Sequence, residues 1–378
     1  MGPGPLDIHP RVYRALASPV IGHLDPAYLE VLQEIGRRLR PLFGTANALT
    51  NATPGTGTSG MEAAVVNLVE PGDKVLACVH GYFGDRLRQM AERQGAEVTV
   101  IAGEWGRATD PAAVAERLKD GGFKLITLVH AETSTGVLQP MDELSRLARE
   151  HGCLIVLDAV TSLGGVPVRV DEWGIDVAYS CSQKCVGSPP GLAPLTFGER
   201  ALAAVRKRKR PVPSFYLDVQ LLDQYWSGRV YHHTSSSTLN YALLEALLLI
   251  EEEGLENRFA RHRKHHCALV AGVEAMGLQM LVAPSQRLPS LNTIRVPDGV
   301  DDVRLRGYLL ETFNLEIGGG LGALKGKVWR VGLMGYGCSA ERILFFLSAL
   351  HRALAVQGVE TDLSAGLAAS QAVLEAES

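Results

Sequence analysis

The sequence predicts an α/β protein: a large domain built on a mostly parallel sheet, followed by a smaller C-terminal α+β domain. Three observations lead there. The chain has 378 residues, more than a single hydrophobic core usually serves. From residue 58 to about 200, strand-like and helix-like periodicities alternate, as expected of a parallel sheet covered on both faces. Beyond residue 240 that alternation gives way to two long helical patterns and then to a different order of elements.

The apolar runs place strands at Lys74–Val79, Glu97–Ile101, Lys124–Val129, Cys153–Asp158, Val177–Ser180 and Leu192–Phe197. Amphipathic helices are expected near residues 59–69, 84–94, 111–120 and 141–150, with turns at Pro71-Gly72-Asp73 and Gly121-Gly122. Asn240–Glu253 and Asn257–Met276 read as helices that carry the chain out of the sheet. Ser290–Val296 and Val328–Leu333 read as strands, and Val303–Phe313 and Ala340–Ala355 as helices. The Ala-rich tail after Gly358 carries little signal. The expected division is an N-terminal arm over residues 1–20, a large domain over 21–255 and a small domain over 256–378.

Composition narrows the function classes. With 46% hydrophobic and 21% charged residues, the chain has the balance of a soluble globular protein. A net charge of −4 supplies no field that would draw it to nucleic acid or an anionic membrane. The longest apolar stretches, Ala242–Ile250 and Ile343–Leu350, fall well short of a bilayer span of roughly 20 residues. The opening Met1-Gly2-Pro3-Gly4-Pro5-Leu6 lacks the basic-then-apolar pattern of an export signal, so a cytoplasmic protein is expected. Six scattered cysteines without a Cys-x-x-Cys pair read as reduced, buried thiols.

Gly55-Thr-Gly57-Thr-Ser-Gly60 matches the dinucleotide fingerprint but not its setting. Pro54 precedes it, Asn47–Thr53 does not read as a buried strand, and no acidic residue ends a second strand about 20 positions on. The remaining reading is a glycine- and hydroxyl-rich entry to a helix, whose unsatisfied N–H groups suit a phosphate. A helix cap formed by Thr58 or Ser59 fits the same residues.

Two further residues give the phosphate reading weight. Asp158 ends the apolar run Cys153–Leu157, and Lys184 follows the run that ends near Ser180; ligands in open α/β sheets gather at such strand ends. A lysine able to form a Schiff base, a carboxylate for a pyridinium nitrogen and a helix end for a phosphate are the parts a protein supplies to pyridoxal 5'-phosphate.

The motifs Gly2–Pro5, Gly55–Ala64, Glu70–Asp73, His130–Pro140, Asp158–Gly165, Tyr179–Lys184, Tyr231–Thr234 and Gly326–Leu333, in this order, resemble the class V, fold-type I aminotransferases. The likeness is to the alanine–glyoxylate, serine–glyoxylate and serine–pyruvate group, and it runs to about residue 355. The resemblance implies Lys184 as the lysine that bonds to the cofactor aldehyde and Asp158 as the partner of the ring nitrogen. It implies Gly57, Thr58, Ser59 and Gln183 at the phosphate, Thr133 at the phenolic oxygen, Val160 under the ring and Phe83 stacked upon it. Arg330 would hold the substrate carboxylate with Gly4 beside it, and Tyr231 and Thr234 would reach the phosphate of a neighbouring subunit in a homodimer. Phe83 stands where Trp or Tyr is frequent, and Thr133 where some members have Ser; both substitutions keep the chemistry.

The reaction implied is a ping-pong exchange from alanine, with serine as another donor, to glyoxylate, with amino and 2-oxo acids as the partners. Alternatives within the class are serine–, ureidoglycine– or aminophosphonate aminotransfer, or a lyase on the same lysine; outside it, a non-catalytic dimer. No second arginine is matched to a distal carboxylate, which disfavours glutamate and aspartate. The basic run Arg206–Arg210 reads as a solvated helix end. His262, His265 and His266 read as a solvent-facing cluster rather than a zinc site.

Overall fold

Alternate residues of one strand must face opposite sides of a sheet, and in this protein both sides are buried. The computed structural model describes residues 1–228 and 230–376. The strands are β1 (Leu49–Pro54), β2 (Lys74–Val79), β3 (Glu97–Ala102), β4 (Leu125–Val129), β5 (Ala131–Glu132), β6 (Val137–Leu138), β7 (Leu154–Asp158), β8 (Val177–Tyr179) and β9 (Leu192–Phe197), then β10 (Leu291–Arg295), β11 (Gly318–Gly319) and β12 (Val328–Gly332). Seven of them form the central sheet in the order β1-β9-β8-β7-β4-β2-β3. From β8 to β3 every pairing is parallel, whereas β9 runs antiparallel to both its neighbours. All six strands expected in this region are present, and Lys74–Val79 and Leu192–Phe197 agree end to end.

Helices α1 (Pro10–Leu16), α2 (Pro26–Phe43), α3 (Gly57–Leu68), α4 (Tyr82–Arg93), α5 (Pro111–Leu118), α6 (Asp142–Glu150), α7 (Val170–Trp173), α8 (Glu199–Arg206), α9 (Val219–Trp226) and α10 (Ser237–Glu253) surround the sheet. Leu76, Ile126, Ile155 and Leu157 pack on one face with α2, α6 and α10; Val75, Leu125, Val129 and Val156 pack on the other with α3, α4 and α8. The start of α2 shows how local chemistry places these helices. The Asp25 side chain accepts the Ala27 N–H at 2.9 Å, Pro26 presets the first turn, and Gly44 ends the helix in the left-handed region.

Helix α11 (Leu255–Ala275) leads to a three-stranded antiparallel sheet, β10-β12-β11, packed with α12 (Asp302–Phe313), α13 (Ala340–Ala355) and α14 (Leu363–Glu375) around a third apolar cluster. Among the described residues no helix is long and apolar enough to cross a membrane.

Two expectations are overturned, and one stretch left without an assignment takes shape. The run before the glycine cluster is a buried strand, β1, at the sheet edge: its polar residues pair across to β9, with Thr50 Oγ1 2.9 Å from Thr196 Oγ1. The tail after Gly358 is an ordered helix. Asp362 caps α14 by accepting the Ala365 N–H at 2.9 Å, and Gly366 crosses Gly272 of α11 so closely that a Cβ on Gly366 would lie 2.5 Å from Met276 Cγ. The histidine cluster faces inward: His262 is fully buried and His266 nearly so, its Nδ1 2.6 Å from Asn292 Oδ1, while His265 is half-buried. The basic run does follow the end of α8, where Arg208 donates to the Asn67 and Val69 carbonyls at the C-terminus of α3. Five cysteines are buried and Cys267 is exposed.

Candidate functional site

The parallel strands β4, β7 and β8 end side by side, and the segments at their carboxyl ends carry Thr133, Asp158, Val160, Gln183 and Lys184. Asp158, the last residue of β7, is buried. Its Oδ1 accepts the Val160 N–H and its Oδ2 the Tyr179 hydroxyl, each at 2.8 Å. Burial pushes this carboxyl up to about 7, and the two donors work against the rise. Lys184 follows β8 and is 9% exposed. Loss of hydration lowers its ammonium below the ordinary lysine range, and Asp158 is among the charges acting on it.

The N-terminal arm closes the site over this amine. Lys184 Nζ donates to the Pro3 carbonyl. Gly4 adopts a positive φ of 97°, and a Cβ there would lie 2.8 Å from Nζ, so a side chain at position 4 is opposed by both backbone and lysine. Arg330, on the central strand of the small sheet, is 7% exposed; its Nε donates to the Gly319 carbonyl at 2.8 Å and its Nη1 to the Thr133 carbonyl at 3.2 Å. Burial lowers this guanidinium to about 10. The Thr133 hydroxyl bonds that of Thr161.

At the other end of the site, α3 begins at Gly57, two residues earlier than the expected start, and none of the described side chains caps it. Gly57 lies against Val160 and Cys181. Ser59 Oγ turns back to the Thr56 carbonyl, and the Thr58 hydroxyl accepts from Arg86 Nη1 at 3.3 Å. Gln183 Oε1 is buried without a partner among the described residues. Phe83, in the first turn of α4, is half-buried, with the Arg86 guanidinium 5.1 Å from its ring centre.

Tyr231 and Thr234 are not brought to this place. Both are exposed, Tyr231 by 54%, and the Tyr231 ring packs on His23. Among the described residues neither is hydrogen-bonded to Lys184, Asp158 or Gln183.

Two residues escaped the sequence reading. Glu132 is fully buried and gathers the backbone N–H groups of Phe83, Gly84 and Ser134 together with the Ser134 hydroxyl, thereby fixing the start of α4. Tyr179 faces Asp158 across the β7–β8 pairing. A carboxylate just beyond a buried strand was the signal for the first, and a tyrosine in register with the key aspartate the signal for the second.

The class V aminotransferase family matches residues 15–337. The chain is a class V aminotransferase. It is 41% identical over 372 residues to the alanine–glyoxylate aminotransferase of Drosophila melanogaster, covering 96% of this chain and 94% of that one. The crystal structure of the ureidoglycine–glyoxylate aminotransferase of Bacillus subtilis superposes with a TM-score of 0.97 at 40% identity, covering 100% of this chain and 97% of that one. That of alanine–glyoxylate aminotransferase from Nostoc sp. gives 0.92 at 48% identity, covering 94% of each.

This aminotransferase has the fold-type I architecture, takes amino and 2-oxo acids, and uses pyridoxal 5'-phosphate. The residues present fit that group. A desolvated amine, a buried carboxylate and an uncapped helix end lie around one end of the sheet. Among the described residues no group of histidine, cysteine and carboxylate side chains could hold a metal.

Proposed function

We propose that this aminotransferase moves the amino group of alanine, and of serine as a second donor, to glyoxylate, giving pyruvate and glycine from the alanine pair. The observation that carries the reading is the wall over Lys184: main chain from Pro3 and Gly4 lies directly on the amine, which favours small donor side chains over large ones. Glyoxylate as acceptor is supported by the names of all three relatives above. The B. subtilis likeness supports a second reading, ureidoglycine as donor.

In this reading pyridoxal 5'-phosphate, when bound, supplies the electron sink that lets an amino acid lose its α-proton. The chain's own groups do the rest. Lys184 Nζ would anchor the cofactor and, as a free amine, would take the proton from the substrate α-carbon. A neutral amine is needed for that, and burial favours it. Asp158 would meet the ring nitrogen, whose positive charge would favour the carboxylate against the effect of burial, with Tyr179 and the Val160 N–H steering its two oxygens. The planar Arg330 fork receives the substrate carboxylate, Gly4 borders it, and the carbonyls of Gly319 and Thr133 hold the fork in place.

Gly57, Thr58, Ser59 and Gln183 would hold the phosphate, Thr133 the phenolic oxygen, and Val160 and Phe83 the two ring faces. Tyr231 and Thr234 would complete the phosphate site of a second copy, in a cytoplasmic homodimer. We retain the division into an arm, a large domain over 21–255 and a small one over 256–378.

A donor panel of alanine, serine and (S)-ureidoglycine, each with glyoxylate, tests the assignment through the 2-oxo product formed. Alanine should give the highest kcat/KM, and preference for ureidoglycine would replace the first reading by the second. Lys184→Ala should abolish turnover and the borohydride-stable bond between cofactor and chain; an active variant that still gives that bond would end both.

A further inference from the structure

The junction between α10 and α11 carries a partly buried ionic cluster, centred on Arg258, that none of the steps above uses. Arg258 is 5% exposed. Its Nη1 pairs with Glu253 Oε2 at 2.6 Å, its Nε donates to the Gly164 carbonyl at 2.9 Å, and its Nη2 donates to the Cys185 carbonyl at 2.5 Å. Cys185 is the residue after Lys184, and Gly164 lies in the turn that leaves Asp158. One helical turn on, Arg261 Nε pairs with Glu253 Oε1 at 2.6 Å, and its Nη1 donates to the carbonyls of Gly335 and Cys338 at 3.0 and 2.8 Å. His262 Nε2 accepts the Gly335 N–H at 3.1 Å, while its Nδ1 faces the Arg258 carbonyl at 2.8 Å. Gly335 is five residues beyond Arg330.

Removing charges from water is costly, and apolar residues of similar size would often serve stability equally well. Here the guanidinium groups end on main-chain carbonyls one residue beyond Lys184, six beyond Asp158, and five and eight beyond Arg330, in the segments that lead away from the three residues assigned to the aldehyde, the ring nitrogen and the substrate carboxylate. A planar fork satisfies two carbonyls from one side chain, which an ammonium does not reproduce.

We propose that Arg258, oriented by Glu253, is a positioning residue for Lys184: it holds the Lys184–Cys185 turn and the Asp158–Gly165 turn in fixed relation, while Arg261 and His262 tie the exit of β12 to the same helix end. The inference rests on the role given to Lys184 above. Releasing the Cys185 carbonyl lets the lysine peptide turn and Nζ wander from the proton it must move, and displacement by about 1 Å costs on the order of 100-fold in rate.

The test uses the full-length, cofactor-loaded protein with Arg258→Met, Arg258→Lys and Lys184→Ala. A visible band in wild type that borohydride fixes to the chain, with no such fixation in Lys184→Ala, establishes the lysine reading independently; a wild type without that fixation would overturn that reading instead. At saturating cofactor, Arg258→Met should keep the absorbance per subunit but lose at least about half of the band's induced circular dichroism, a measure of fixed orientation. Its kcat should fall about 100-fold while KM for glyoxylate changes less than about threefold. Arg258→Lys, which keeps the charge against Glu253 and one carbonyl, should recover part of both signals. Wild-type circular dichroism and kcat in Arg258→Met would overturn the proposal, as would equal damage in the two variants. Should Arg258→Met fail to fold, undiminished circular dichroism and turnover in Arg258→Lys would overturn it as well.

Discussion

The sheet-end residues and the Tyr231–Thr234 segment were expected to serve one cofactor, yet they are built differently. Asp158, Lys184, Thr133 and Arg330 are buried, and each has a hydrogen-bond partner within its own chain. Tyr231 and Thr234 stand exposed, with the Tyr231 ring against His23. The first group is organised by the fold of a single chain, because strand ends and short turns leave those side chains little freedom. The second has its polar groups at the surface, where a second copy could be met.

Experiments that alter one group at a time sharpen this contrast. The largest effect is expected from Asp158→Asn, which removes the charge while keeping the shape: kcat should fall about 100-fold or more. Turnover within threefold of wild type would show that the dry group does not depend on that anion.

Dryness also has a pH signature. Burial pushes the His130 imidazole down to about 4, whereas an unfolded chain protonates near the ordinary 6.5. The folded pKa is the lower one, so stability from this group is present above pH 6.5 and is lost as pH falls toward 4. The stability of wild type relative to His130→Gln should therefore shrink by up to roughly 3 kcal/mol over that range in denaturant titrations. A pH-independent difference would mean that the imidazole is hydrated.

For the exposed group the expected effect is smaller. Tyr231→Phe with Thr234→Ala should weaken cofactor binding about tenfold and leave kcat at saturating cofactor nearly unchanged, since one or two hydrogen bonds are at stake. Unchanged binding would remove the segment from the site. Smallest of all, Tyr179→Phe should lower kcat only a few-fold, because the Val160 N–H still holds Asp158. A loss as large as that of Asp158→Asn would make the hydroxyl an equal partner of the carboxylate.

What was legible in the sequence follows the same physics. β2 and β9 could be bounded to the residue because apolar runs buried on both faces end at turn signals. Asp158 and Lys184 stood out as polar groups closing such runs. β1 was missed because much of what it buries is polar, Thr50, Asn51 and Thr53, with Thr50 bonded to Thr196 across the sheet, rather than an apolar run. His262 and His266 misled for a related reason: helical spacing shows that residues share a face, but not whether that face meets water or the small domain. Glu132 and Tyr179 work through partners distant in sequence, so local pattern could not assign them.

The Gly272–Gly366 crossing sets the standing of the last helix. Two backbones that meet with no side chain between them admit no spacer, so α14 is keyed into one seat beside Met276 and Leu347 rather than resting on the surface. Trimming the chain before residue 363 would uncover an apolar trench in the small domain, making this stretch a structural keystone rather than a dispensable trailer.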